Sequence, residues 1–186
     1  MLYKNSLRIS HEIIKKVAGQ GDIVVDATAG NGNDTLFLAH LVGSEGIVYA
    51  FDIQEIAILN TKKKLEEAKV YDRVKLINDG HENIDKYINK NVKAVMFNLG
   101  YLPKGDHSRA TKGKTTIKAI EKCLEILQAE GVITIVIYYG GDSGFEEKDE
   151  ILSYIRSIDS KKYSVLVHEF VNQMNCPPIA VCIERI

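Results

Sequence analysis

Cysteine is scarce in this 186-residue chain and poorly spaced for bonding or metal binding. Cys123, Cys176 and Cys182 are odd in number and include no Cys-x-x-Cys pair, which argues for reduced thiols over a disulfide framework or a zinc site. Cys123 lies among Ile120, Leu124 and Leu127, so core packing is its expected role. No His/Cys/Asp cluster has metal-ligand spacing, and no metal is expected. No apolar run is long enough for a signal peptide or a membrane span. A cytoplasmic location without a membrane partner is therefore expected. The formal net charge is only −1, so no overall electrostatic attraction draws the chain to nucleic acid. RNA contact would have to come from a local basic patch. A Pro/Gly/Ser linker, internal repeats and low-complexity tracts are also missing, which predicts one domain over residues 1–186.

What is present is a regular alternation. An amphipathic helix over Ser6–Val17 opens the chain, with Ile9, Ile13, Ile14 and Val17 on one side. Strand-like runs follow at Ile23–Ala27, Gly46–Phe51, Val74–Ile77, Val92–Phe97 and Val132–Tyr138. Helical stretches separate or follow them at Asp34–Leu41, Glu55–Lys69, Asn83–Asn89 and Thr115–Gln128. This order predicts right-handed crossovers and a parallel sheet covered by helices on both faces. The end breaks the rhythm. A helix over Glu146–Ile158 leads to strands Tyr163–Phe170 and Ile179–Glu184, joined only by a short loop and hence antiparallel. The expected fold is α/β: a class I Rossmann-like, seven-stranded, mostly parallel sheet with an antiparallel last strand.

The most informative stretch, Asp26-Ala27-Thr28-Ala29-Gly30-Asn31-Gly32-Asn33-Asp34-Thr35, sits where the first strand hands over to a helix. Its glycines let the backbone approach a ligand, and the free N–H groups at the helix start point at it. Twenty residues past Gly32, the second strand ends in Asp52, whose carboxylate can accept both hydroxyls of a ribose. A dinucleotide site would place a third glycine where this chain has Thr35. The polar, acidic lining from Asp26, Asn31, Asn33 and Asp34 suits a ligand with an ammonium group better than a pyrophosphate. S-adenosylmethionine carries that ammonium together with a ribose. The plainer alternative is a glycine-rich turn with Asp34 capping the helix.

Sites in open α/β sheets lie beyond the carboxyl ends of the strands. Asn98-Leu99-Gly100-Tyr101-Leu102-Pro103 follows the fourth strand and resembles the Asn-Pro-Pro-Tyr element of amine-directed methyltransferases. Such an enzyme must aim the amine's lone pair, and the Asn98 side-chain oxygen and the Leu99 carbonyl offer acceptors for its N–H groups. Tyr101 offers a stacking face for a base. Alternatively, Asn98 caps a turn and Tyr101 covers the sheet edge. Lys104, His107, Arg109, Lys112, Lys114 and Lys118 come next, with Asp106 as the one acid among them. They form either a grip for a phosphate backbone or a solvated loop. Asp79-Gly80-His81 lies where an adenine edge is expected. Gln173 and Asn175, in a loop held extended by Pro177 and Pro178, offer hydrogen bonds to a base.

Taken together, these segments make the chain resemble the bacterial YtqB-like rRNA methylase family, whose tRNA-acting members are called MnmM. The likeness spans essentially the whole chain and rests on Asp26–Thr35, Asp52-Ile53-Gln54, Asp79-Gly80-His81, Asn98–His107 and Asn172–Pro178. It implies an S-adenosylmethionine-dependent tRNA methyltransferase acting on the exocyclic amine of wobble 5-aminomethyl-2-thiouridine. On this reading Asn98, Leu99 and Tyr101 serve the reaction. Asp26, Thr28, Gly30–Thr35, Asp52, Gln54 and Asp79–His81 hold the cofactor, and a homodimer is admitted. Some relatives have Gly-His where this chain has Gly140-Gly141. Alternatives are rRNA or another amine as substrate, a non-catalytic cofactor-binding module, and an NAD-type oxidoreductase. The last is disfavoured by Thr35 and by the antiparallel ending.

Overall fold

The computed structural model describes residues 5–89, 91–100, 112–139 and 144–186. Tyr101, Lys104, Asp106, His107, Arg109 and the Gly140-Gly141 pair lie outside them. The first helix, α1 (Ser6–Val17), begins with the Asn5 side chain accepting the Arg8 N–H and carries Lys15 and Lys16 in its last turn. Both ends thus complement the helix dipole and its unpaired backbone groups. Then come β1 (Ile23–Asp26), α2 (Asn33–Val42), β2 (Ile47–Phe51), α3 (Glu55–Glu67), β3 (Val74–Ile77), β4 (Val92–Leu99), α4 (Gly113–Ile126), β5 (Leu127–Ile137), α5 (Gly144–Ile155), β6 (Tyr163–His168) and β7 (Ile179–Arg185).

The strands form one sheet in the order β3-β2-β1-β4-β5-β7-β6. Pairings from β3 through β5 are parallel, and β7 runs antiparallel to both β5 and β6. Each central strand is buried on both faces, which is why Val24-Val25, Val48-Tyr49-Ala50-Phe51 and Ala94-Val95-Met96-Phe97 read as continuous apolar runs. One core layer gathers Ile14, Val24, Leu38, Val42, Val48, Leu65, Ala94 and Met96 from α1, α2, α3 and the sheet. The other gathers Val25, Phe51, Phe97, Ile120, Cys123, Ile133 and Ile151 under α4 and α5. Cys123 is fully buried, and burial pushes its thiol far above the usual range, as its packing role requires.

The fourth strand runs two residues further than expected, so Asn98 and Leu99 lie within it, and two other elements depart more. The stretch expected as a helix over Asn83–Asn89 is a short 3₁₀ helix over His81–Lys86. Asp79 ties down its start, its Oδ1 accepting from Gly80 N and Asn83 Nδ2. The fifth strand begins at Leu127, five residues earlier than expected. Leu127 pairs with Val92, the register then shifts, and Glu130 takes a positive φ of 57° before regular pairing resumes at Val132. Such an irregularity carries little signal in residue type alone. Among the described residues, no helix is long and apolar enough to cross a membrane. No group of three His, Cys, Asp or Glu among them could hold a metal ion.

Candidate active site

The carboxyl ends of β1, β2 and β4 meet at the loop leaving β1. Ala27 N donates to Met96 O at 2.8 Å and Ala29 N to Phe51 O at 2.8 Å, so the loop is fastened to β4 and β2 at once. Gly30 and Gly32 then take positive φ values of 53° and 74°. A Cβ on Gly32 would stand 2.9 Å from the Thr61 backbone, so α3 packs against bare backbone there. Only glycine meets both conditions without strain.

Asp52 closes this loop from the end of β2. Its Oδ2 accepts from Gly30 N at 2.9 Å and its Oδ1 from Gln54 N at 2.9 Å. Each oxygen keeps lone-pair capacity, and the residue is partly exposed. Beside it, Asp26 is 1% exposed. Its Oδ1 accepts from Thr28 N at 3.1 Å and its Oδ2 from the Thr35 hydroxyl at 2.6 Å. Thr35 thus replaces the third glycine of a dinucleotide loop with a donor to the acid. Burial first, and the nearby Asp34 charge second, raise the Asp26 carboxyl to about 7. An acid of this kind gains from a cationic ligand group.

Asp34 does not cap α2. The cap is Gly32, with no side-chain bond. Asp34 is buried, and its Oδ2 accepts from Asn98 Nδ2 at 3.1 Å. That bond fixes the Asn98 amide, because a carboxylate can only accept and the nitrogen must face it. The Asn98 backbone N–H donates to the Thr28 hydroxyl at 2.7 Å. With both nitrogens used, the Asn98 Oδ1 remains buried and without a hydrogen-bond partner among the described residues. Leu99 is buried, its carbonyl accepting from Tyr138 N at 3.3 Å. Tyr138 stands near enough to Asp34 that burial and that charge both raise its phenol.

His81 is also buried. Its ring donates through Nδ1 to Ala27 O at 3.1 Å and leaves Nε2 unpartnered among the described residues, and burial lowers its basicity. The neutral ring therefore presents an acceptor. For Asp79, burial raises the carboxyl, but bonds from Asn83, Tyr87 and Gly80 outweigh it, and the group sits below the usual range.

The remaining sequence candidates scatter. The Asn31 and Asn33 side chains turn to α3, Asn31 to Asn60 at 3.5 Å and Asn33 to the Lys64 ammonium. Lys112 and Lys114 are exposed at the start of α4. Gln173 and Asn175 are exposed in the β6–β7 loop, Asn175 with a φ of 65°. One participant is absent from the sequence reading: His11 on α1, whose Nε2 lies 2.7 Å from Asp34 Oδ1. A lone histidine on an amphipathic helix, twenty-three positions from its partner, carries no signal in spacing.

A family model described as "Putative rRNA methylase" matches residues 48–184. The chain belongs to this family. It is 34% identical over 192 residues to the chloroplastic tRNA (mnm(5)s(2)U34)-methyltransferase of Arabidopsis thaliana, covering 98% of this chain and 70% of that protein. A putative rRNA methylase from Clostridium thermocellum is 59% identical with a TM-score of 0.98, covering both chains completely. A putative methyltransferase from Streptococcus mutans, solved in complex with SAH, is 42% identical with a TM-score of 0.91, covering 98% of this chain and 99% of that one. As a member of the rRNA methylase family, this protein is an S-adenosylmethionine-dependent methyltransferase. The site fits that cofactor: Asp52 keeps lone-pair capacity at the loop, two buried acids stand beside it, and the buried acceptor on His81 lacks a partner among the described residues.

Proposed function

We propose that this protein methylates the exocyclic amine of 5-aminomethyl-2-thiouridine at the tRNA wobble position, giving 5-methylaminomethyl-2-thiouridine. The observation that carries the reading is the buried, unpartnered Asn98 Oδ1 at the end of β4. A buried acceptor without a partner costs roughly 1–3 kcal/mol, a cost removed when a ligand donor reaches it. An amine brings such a donor. The Arabidopsis relative's name supplies the nucleoside.

In this reading Asp52 holds the cofactor's ribose hydroxyls, and Asp26 and Asp34 face its ammonium end. Gln54 and Asp79–His81 line the adenine side, with Asn31 and Asn33 shaping the rim. S-adenosylmethionine supplies a methyl group activated by a sulfonium. An alkylammonium must first lose a proton, to water or to a nearby acceptor. Asn98 Oδ1 and the Leu99 carbonyl then accept the N–H hydrogens of the neutral amine and aim its lone pair. As positive charge grows on that nitrogen, the same acceptors interact more strongly with it, which favours the transition state over the ground state. Tyr101 would stack on the base, while Lys104, His107, Arg109, Lys112 and Lys114 grip phosphates and Gln173 and Asn175 contact the RNA.

A second reading, rRNA as substrate, rests on the family's description and on ribosomal RNA small subunit methyltransferase H of Tropheryma whipplei. That protein is 34% identical over 91 residues, spanning 48% of this chain and 27% of its own length. One experiment separates the two. The enzyme and methyl donor are incubated with undermodified tRNA or with rRNA, and the digested nucleosides are weighed by mass spectrometry. A gain of one methyl on 5-aminomethyl-2-thiouridine supports the proposal, and methylation of rRNA alone overturns it.

A further inference from the structure

The acid that orients Asn98 is itself held from outside the glycine loop. Asp34 receives Asn98 Nδ2 on one oxygen and His11 Nε2 on the other, at 3.1 and 2.7 Å. Its side chain is 7% exposed and that of His11 25%. The acceptor-only carboxylate requires a hydrogen on His11 Nε2, so the ring acts as a donor. The ring also stacks on Phe37 of α2, with centroids 4.1 Å apart and planes 14° from parallel. The helix that carries it is anchored along its length. The Ser6 hydroxyl donates to the Pro178 carbonyl, Ser10 to Thr134 of β5 at 2.7 Å, and Ile14 is fully buried. A short bond from a stacked ring on a fixed helix holds a carboxylate more firmly than solvent would.

We propose that His11 is a positioning residue for the amine acceptor: through Asp34 it locks the Asn98 amide with Oδ1 turned toward the substrate nitrogen. The chain His11–Asp34–Asn98 joins α1, α2 and β4 and ends in the buried Asn98 Oδ1, which has no hydrogen-bond partner among the described residues. Without the His11 donor, Asp34 can turn toward water, and the Asn98 amide loses the partner that distinguishes its oxygen from its nitrogen. This role rests on the amine-methylating reading above, and its test is built to fail separately from it.

The test uses His11→Phe, which keeps a ring for Phe37 but removes the donor, and His11→Gln, whose amide restores a donor. In the protein labelled with ¹⁵N, the Asn98 side-chain amide pair is identified by its loss in Asn98→Asp. His11→Phe should shift that pair and speed its exchange with solvent, and His11→Gln should return it toward wild type. Single-turnover methylation of tRNA bearing 5-aminomethyl-2-thiouridine, measured at saturating cofactor, should fall about tenfold in His11→Phe, as for loss of one charge-assisted bond, with tRNA affinity unchanged. His11→Gln should recover most of the rate. Asn98 amide signals identical in His11→Phe and wild type overturn the proposal whatever the rates do. If the wild type methylates no RNA while those signals still respond to His11, the functional reading falls and the positioning role stands.

Discussion

Asp52 and Asn98 carry opposite kinds of incompleteness. Asp52 is partly exposed and already holds two backbone N–H groups, so its remaining lone pairs are poised without cost to the free protein. Removing its carboxylate removes a charge-assisted bond worth roughly 1.5–3 kcal/mol, so Asp52→Ala should weaken S-adenosylmethionine binding at least tenfold by calorimetry. A folded variant with unchanged affinity would remove Asp52 from the cofactor site. Asn98 Oδ1 is buried and lacks a partner, a condition tolerated in functional sites because a ligand completes it. Asn98→Ala should leave cofactor and tRNA affinities near wild type and lower single-turnover methylation by about 100-fold. Turnover at the wild-type rate would end the amine-orienting role. Asp52 was legible in the sequence because strand length and the distance from the glycines fix its place. Asn98 was expected just past the fourth strand and lies inside its last stretch of pairing, opposite Val136, while its bond to Asp34 left no signal, since sixty-four residues separate them.

At the scale of elements, the site is assembled by strand ends and completed by helices from either side of the sheet. Periodicity found the strands and most helices because both faces of the central strands are buried, which forces apolar runs and turn residues at their ends. It missed the irregular start of β5 and the 3₁₀ turn after Asp79, where local hydrogen bonds, not apolar spacing, decide the backbone. The start of α4 bears on RNA. Lys112 stands before its first turn and Lys114 within it, both exposed. If they grip phosphates, changing both to Ala should raise the apparent tRNA dissociation constant and flatten its dependence on salt, with cofactor affinity unchanged. Wild-type affinity and salt slope in a filter-binding titration would place the RNA grip elsewhere.

For the whole molecule, concentrating acids at the strand ends has a consequence for stability. Asp26, Asp34 and Asp52 come from three different segments, and the fold brings them close enough for the other two to raise Asp26. Burial is the larger cause, opposed only in part by the bonds from Thr35 and Thr28. The carboxyl moves from an ordinary 3.8 to about 7 on folding. Between those values the folded protein binds a proton that the unfolded chain has released. Stability from this group is therefore full below about pH 4 and is lost as the pH rises, by at most about tenfold in the folding constant per unit, until it levels off above about pH 7. Asp26→Asn removes the titration and keeps the shape, because an amide oxygen can accept from Thr28 N while its nitrogen donates to the Thr35 hydroxyl. In denaturant melts of the ligand-free protein, the variant's stability relative to wild type should climb steadily from pH 5 to pH 7 and then flatten. A difference that stays constant across that range would mean that Asp26 is ionised throughout and that burial does not hold its proton.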